Sequence, residues 1–248
     1  MQKGSPFPEM QPLVSCVMVT GKSPQREALA RVAIQSYQQQ DYPNRELVIV
    51  NDGEFSLACD DPTIREIRVP ATPRLSLGEL RNIGLEEARG DWICQWDDDD
   101  YSGPGRIRLQ LEAARPGCCV LLLWQVRYSF VTNYAFVAGI REGIPGTILH
   151  PRTSGRYRAE GKHEDTHFWK DVFGTERRIL LDNNSRSGLR PSLYMRFYHG
   201  ANTWNARHVM QGRVQPTHAN RWDLAREDKD ILERTLRLYH EVHPPRGA

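Results

Sequence analysis

Asp91-Trp92-Ile93-Cys94-Gln95-Trp96-Asp97-Asp98-Asp99-Asp100-Tyr101-Ser102-Gly103-Pro104 is the stretch whose reading decides the fold. Its first half has the composition of a buried strand and its end that of a helix start, so the aspartates stand at the strand's carboxyl end. Four adjacent carboxylates need a cation. On an extended segment side chains alternate, which predicts Asp97 and Asp99 on one face with about 6.6 Å of backbone between them. One hard divalent ion could bridge that face. Oxygen ligands on a short segment select Mg²⁺ or Mn²⁺, which keep coordination positions open for phosphates. A calcium loop fails, because Tyr101 and Ser102 stand where the next ligand and the glycine belong. A solvated acidic turn is the plainer alternative.

Outward from there, strands alternate with helices. Leu13 to Thr20 is an unbroken apolar run between Pro12 and Gly21, as expected of a strand buried on both faces. A helical pattern follows from Gln25 to Gln39. Glu46-Leu47-Val48-Ile49-Val50 is a second buried strand, ending at Asn51-Asp52-Gly53, and Ile64 to Val69 is a third before a helix from Leu77 to Ala88. A helix from Pro104 to Ala114 stops at Pro116-Gly117, and Cys118 to Trp124 reads as one further strand. This order predicts an α/β fold with a largely parallel sheet flanked by helices. Later the pattern loosens. Val126 to Val137 alternates like an antiparallel hairpin, Thr147 to His150 reads as a short strand, and Trp222 to Val242 sets Ile231, Leu232, Leu236 and Tyr239 on one helical stripe. Ligands of open parallel sheets gather outside the strands' carboxyl ends, here carrying Thr20, Asp52 and Asp97 to Asp99. Neither GxGxxG nor GxxxxGK[ST] occurs there, so neutralising phosphate falls to a metal.

Composition is permissive. The chain has 248 residues and a net charge of +2, enough for one good core and compatible with anionic or neutral partners. Arginine crowds the second half, through Arg152, Arg156, Arg158, Arg177, Arg178, Arg186, Arg190, Arg196, Arg207 and Arg213, which favours a phosphate-bearing ligand or a solvated basic surface. Cys16, Cys59, Cys94, Cys118 and Cys119 form no CxxC pair, and three lie in apolar runs, as small buried hydrophobes do. No apolar run is long enough for an integral membrane segment, and Met1 to Gln11 lacks a signal core. The expected location is cytoplasmic, with peripheral attachment to a membrane left open.

Ala33-Ile34-Gln35-Ser36-Tyr37 through Asn51-Asp52-Gly53, then Arg81-Asn82-Ile83-Gly84, Ala88-Arg89-Gly90-Asp91-Trp92-Ile93 and the aspartates, resembles the signature of family 2 glycosyltransferases with the GT-A fold. The resemblance is strong from about Val14 to about Leu109 and weaker through Glu164-Asp165 and His199-Gly200-Ala201-Asn202-Thr203-Trp204. Asn51 and Glu54 depart from the Asp and Ser usual beside Asp52. The resemblance implies a single GT-A domain over 1–248. A Rossmann-like half at about 13–115 would bind the nucleoside-diphosphate sugar, a small antiparallel half at about 116–221 would take the acceptor, and 222–248 would form a C-terminal helix and tail. It further implies an inverting transfer, with UDP as the favoured nucleotide and Mn²⁺ or Mg²⁺ as cofactor. By the same resemblance Asp99 is the direct metal ligand, joined by Asp97 and His199. Asp97 alternatively meets ribose or a metal-bound water, Asp98 lies on the nucleotide side, Asp52 accepts from the base, and Thr20 and Arg81 complete the pocket. Asp165, in the acidic pair with Glu164, is the general base that an acceptor hydroxyl needs near neutral pH. Trp169 and Trp204 could stack on a sugar ring or fill core.

Rival readings remain. His163-Glu164-Asp165-Thr166-His167 matches HExxH and so a zinc metallopeptidase, although Lys170 and Phe173 occupy the Gly and His positions of the extended motif. A nucleotidyltransferase would want a fuller glycine-rich basic loop than Gly21-Lys22-Ser23. A non-catalytic nucleotide-sugar module would lack a base. Arg81 could simply pair with Glu79 or Glu86 on a helix surface. The acceptor could be a saccharide, lipid carrier, protein side chain or modified nucleic-acid base, and the arginines favour an anionic one.

Overall fold

The apolar run after Pro12 becomes β1 (Val14–Thr20), flanked in parallel by β2 (Arg45–Asn51) and, on its other side, by the aspartate-bearing strand β4 (Trp92–Asp97). β3 (Ile64–Arg68) extends one edge in parallel with β2, and its half-buried residues fit an edge position. Beyond β4 lies β9 (Leu149–Pro151), antiparallel both to β4 and to β6 (Cys119–Leu122), and β10 (Arg178–Leu181) closes that edge parallel to β6. The seven strands run in the order β10-β6-β9-β4-β1-β2-β3. The computed structural model of the chain describes residues 11–21, 24–70, 72–200, 202 and 224–242.

Alternation along β1 divides the cover. Val14, Cys16 and Met18 pack with α1 (Pro24–Gln38) and α3 (Arg106–Ala113), while Val17 faces α2 (Leu77–Glu87) and α4 (Glu164–Val172) across the other face. A capping box starts α2: the Ser76 hydroxyl accepts from the Glu79 amide at 3.3 Å, and the Glu79 carboxylate accepts from the Ser76 amide at 2.8 Å. Gly84 lets this helix sit tightly on β1.

A second sheet has the order β5-β11-β7-β8, from β5 (Tyr101–Ser102), β7 (Trp124–Ser129), β8 (Tyr134–Gly139) and β11 (Tyr194–Tyr198). The expected hairpin is the antiparallel pair β7 and β8, but β11 joins β7 in parallel, so this smaller part is mixed. Its apolar face is covered by α5 (Arg226–Val242), through Leu232, Leu236 and Tyr239 as the stripe predicted. Trp222, the expected start of that helix, lies outside the described residues. The expected single strand over Cys118 to Trp124 is two: at Leu123, whose amide donates to Leu181 O at 3.0 Å, the chain leaves the large sheet, and β7 begins in the small one. Apolarity continues across the break because both sheets bury their strands there.

A Cβ added to Gly84 would come 2.3 Å from Val17 Cγ1. Replacing Gly84 by Ala is therefore expected to cost about 1–3 kcal/mol through overpacking. Urea unfolding measures it, and the penalty should shrink when Val17→Ala is added to the same chain.

Candidate active site

β4 delivers Asp97 to the sheet's carboxyl edge, and there the extended conformation ends. Asp98 and Asp99 form a turn, so the alternation expected to put Asp97 and Asp99 on one face does not operate. The four carboxylates are held in two pairs, Arg26 being shared by Asp98 and Asp99 and the Tyr194 hydroxyl by Asp97 and Asp100. Asp97 Oδ1 accepts from Arg81 Nη2 and from Gln95 Nε2, each at 3.0 Å. Asp98 accepts from the Thr20 hydroxyl at 2.7 Å and from Arg26 Nη1 at 2.6 Å. Asp99 Oδ2 lies 2.8 Å from that same Arg26 nitrogen, 3.2 Å from His199 Nε2 and 3.3 Å from Asn202 Nδ2. Asp100 turns inward, accepting from the Tyr194 hydroxyl and from the Phe197 amide, and so pins the turn to β11.

Burial sorts these acids electrostatically. Desolvation pushes the Asp98 carboxyl up to about 6 although Arg26 pulls the other way. Burial also opposes ionisation of Asp99, but Arg26 and His199 outweigh it and hold that carboxyl well below the usual range. Asp100, buried beside Asp99, is driven well above the usual range. Asp99 is thus favoured in its charged form by its neighbours, whereas Asp100 serves the fold.

Arg81 is not a surface residue paired with Glu79 or Glu86. It is 6 % exposed, and its guanidinium joins Asp97 to Glu164 Oε1, the latter at 3.1 Å from Nε. One cation thereby ties the end of β4 to the first turn of α4, where acidic residues also suit the helix dipole. Burial raises the carboxyls of both Glu164 and Asp165, with Arg81 opposing the rise. Asp165 Oδ1 accepts from the Thr166 amide at 2.6 Å, while among the described residues Oδ2 takes no hydrogen bond. His163, just before the pair, has a positive φ of 65°, a conformation that non-glycine residues adopt sparingly and often at functional sites.

These groups line one cleft of about 460 Å³, together with Thr20, Asp52, Arg74, Lys162 and Arg196. Asp52 follows β2, and its Oδ1 is buried without a hydrogen-bond partner among the described residues, an acceptor in wait of a donor. Gly21 makes room for it: with φ of 137°, it places a hydrogen where a Cβ would lie 2.0 Å from Asp52 Oδ1. Asn51, the departure from the family pattern, shapes the turn by donating to Phe55 O at 2.8 Å and Glu66 Oε1 at 2.6 Å and accepting from the Gly53 amide at 2.8 Å. A carboxylate could not donate to Glu66.

Other expectations resolve differently. In the HExxH segment Glu164, the base of the zinc-peptidase reading, is held by Arg81, and among the described residues no third ligand joins His163 and His167. Trp169 is core, 1 % exposed under the Arg178 guanidinium, and does not reach the cleft; Trp204 lies outside the described residues. So do Lys22, Ser23, Arg207 and Arg213. Of the remaining second-half arginines in the basic stretch only Arg196 lines the cleft; Arg152 bonds main-chain carbonyls, Arg158 pairs with Asp171 and Arg190 with Glu227, which removes most of the argument for an anionic acceptor. Sequence reasoning missed Arg26, and its sole signal was position, just beyond the carboxyl end of β1.

A divalent cation fits this donor set. The Arg26 guanidinium stands in for a cation between two carboxylates, with the His199 imidazole at the same oxygen. Among the described residues no three His, Cys, Asp or Glu side chains are gathered at metal-binding spacing. Mg²⁺ and Mn²⁺ suit a site with few protein ligands, since phosphate oxygens complete their shells.

The family model described as Glycosyl transferase family 2 matches residues 15–182, more than half of the chain. EpsH of Bacillus subtilis (strain 168), provisionally named a glycosyltransferase, is 33% identical over 96 residues, covering 36% of this chain and 27% of its own length. Among solved structures, Staphylococcus aureus TarS 1–349 in complex with UDP-GlcNAc superposes with a TM-score of 0.54 at 13% identity, over 92% of this chain and 72% of that one. A mannosyltransferase, PcManGT of Pyrobaculum calidifontis with GDP-Man and Mn²⁺, gives 0.52 at 14% identity over 71% and 56%. At such identities the two structures show a shared fold, the GT-A arrangement.

Removing Arg81 strands the buried Glu164 carboxylate and the half-buried Asp97. Arg81→Met is expected to lower stability by about 3–5 kcal/mol. Adding Glu164→Gln should recover part of that loss in denaturant unfolding, because it removes one of the unpaired charges.

Proposed function

The chain belongs to glycosyl transferase family 2, and from that premise we propose that it moves a sugar from a nucleoside-diphosphate sugar, UDP being the favoured nucleotide, to an acceptor hydroxyl with inversion. One observation carries the reading: Arg81 binds Asp97 and Glu164 at once, so the strand end suited to the donor and the acidic pair suited to the acceptor share a single cleft. The unpartnered Asp52 oxygen supports recognition of a base N–H at the far end of that cleft. Thr20 and Asp98, joined by their own hydrogen bond, lie on the nucleotide side with Arg81.

A Mn²⁺ or Mg²⁺ held by Asp99 and His199 would supply Lewis-acid neutralisation of the charge that develops on the departing diphosphate. Asp97 would contact ribose or a metal-bound water. Asp165 Oδ2 takes the acceptor proton as the hydroxyl oxygen bonds the anomeric carbon and the carbon–diphosphate bond breaks, in one displacement that inverts the centre. Burial raises the Asp165 carboxyl, which makes it a better base than an ordinary aspartate. Glu164 keeps Arg81 neutralised and so holds the pair in place. The halves at about 13–115 and 116–221 divide the work, donor to the first and acceptor to the second, with α5 (Arg226–Val242) covering the small sheet. No helix among the described residues is long and apolar enough to cross a membrane.

Asp165→Asn is expected to leave donor binding near normal while slowing transfer by about 10²–10⁴. In the parent protein the acid limb of the kcat/KM profile should sit above the ordinary aspartate range, activity being lost as pH falls through the raised value, and that limb should vanish in the variant. Unchanged turnover by Asp165→Asn sinks the assignment of the base.

Asp52→Ala should weaken UDP binding by about 1–3 kcal/mol, the worth of a buried hydrogen bond that loses one partner. Calorimetry with and without a chelator tests both ends of the site, since the chelator should reduce UDP affinity and the Asp52 change should leave metal affinity alone.

A further inference from the structure

Arg26 stands in the first turn of α1, where the helix dipole disfavours a cation. Tertiary contacts explain its presence. One nitrogen, Nη1, lies 2.6 Å from Asp98 Oδ1 and 2.8 Å from Asp99 Oδ2, and the side chain is 17% exposed. It therefore covers the very oxygen that His199 Nε2 also approaches, the oxygen expected to hold a divalent ion. A guanidinium and a doubly charged ion cannot share that oxygen, both because the space is the same and because like charges a few ångströms apart repel strongly in a partly buried site.

Resting on the metal and donor reading above, we propose that Arg26 is a displaceable internal cation. It neutralises Asp98 and Asp99 while the metal is absent, leaves Asp99 when the metal enters, and then grips the donor's diphosphate. Arginine suits both duties, since its planar fork pairs with carboxylate and phosphate alike. The cleft that holds Arg26 is also the one lined by Asp52 and Thr20, so the diphosphate of a nucleotide lying between base and metal passes within the cleft's basic side chains. Metal and nucleotide binding are then coupled through this residue. Metal alone binds weakly because it must expel Arg26, and nucleotide favours the expulsion by offering the guanidinium a new partner.

The test is calorimetric titration of Mn²⁺ into metal-free protein, with and without UDP, for the parent chain, Arg26→Gln and Arg26→Lys. Arg26→Gln should bind Mn²⁺ alone about tenfold or more tightly than the parent, since no charged group has to be displaced. In the parent, UDP should raise Mn²⁺ affinity by about tenfold or more, and in Arg26→Gln the enhancement should be several-fold smaller, leaving only the part that phosphate oxygens on the metal supply directly. Arg26→Lys keeps the competing charge and should stay near the parent for Mn²⁺ alone, which guards against a misfolded glutamine variant. Equal Mn²⁺ affinity in the parent and a folded Arg26→Gln, as judged by its thermal transition, overturns the displacement while leaving the metal reading standing. Absence of Mn²⁺ binding to all three proteins even with UDP overturns the metal reading itself, and the displacement with it.

Discussion

The buried Arg81 guanidinium is the constraint around which the cleft is organised. A cation at this depth is tolerable only when its donors are met by anions, and here the anions come from the end of β4 and the start of α4, 16 and 83 residues away in sequence. Neither segment would hold its place alone, because Asp97 and Glu164 would each repel the acids beside them. The capping box that starts α2 fixes where Arg81 stands, and Gly84 lets α2 press against β1. Site geometry therefore descends from helix packing on the central strand.

Much of the first half was legible because its signals are local. Continuous apolar runs mark β1, β2 and β4, and the helix between β1 and β2 has its own period. What failed to read was non-local. β10 is a four-residue edge strand with intermediate burial, and β11 pairs in parallel with β7 across a long excursion, so neither announces itself by a turn or a full alternation. The break at Leu123 is hidden by apolar residues on both sides of it. In the site, Thr20, Asp52, Arg81, Asp97, Asp99, Glu164 and Asp165 all line the cleft and His199 touches Asp99 from behind that lining, yet their pairings could not be read, because a carboxylate's partner is chosen by the fold. The aspartate turn is the clearest case: assuming extension predicted a shared face, whereas the chain bends and gives each acid a separate duty.

Charge in the cleft is finely balanced rather than merely acidic. Arg26 neutralises Asp98 and Asp99, and Arg81 neutralises Asp97 and Glu164, while Asp100 is withdrawn into the join between turn and β11. Without that withdrawal four charges would compete for one space, and the charged form of Asp99 would be less favoured. The density of arginine in the second half has a more ordinary explanation in local pairs and main-chain carbonyls.

The passage of the chain from β6 straight into β7 ties the two sheets together closely. With a single residue between them, these strands leave no linker about which one sheet could swing relative to the other, and β5, following the aspartate turn, fastens the same two bodies a second time. The β6–β7 and β4–β5 crossings are one and three residues long, so neither offers a long loop between the sheets. The spacing between the large sheet's carboxyl edge and the small sheet is therefore settled by how these two short crossings fold, and adjustment within the cleft falls to its side chains and to the crossings themselves.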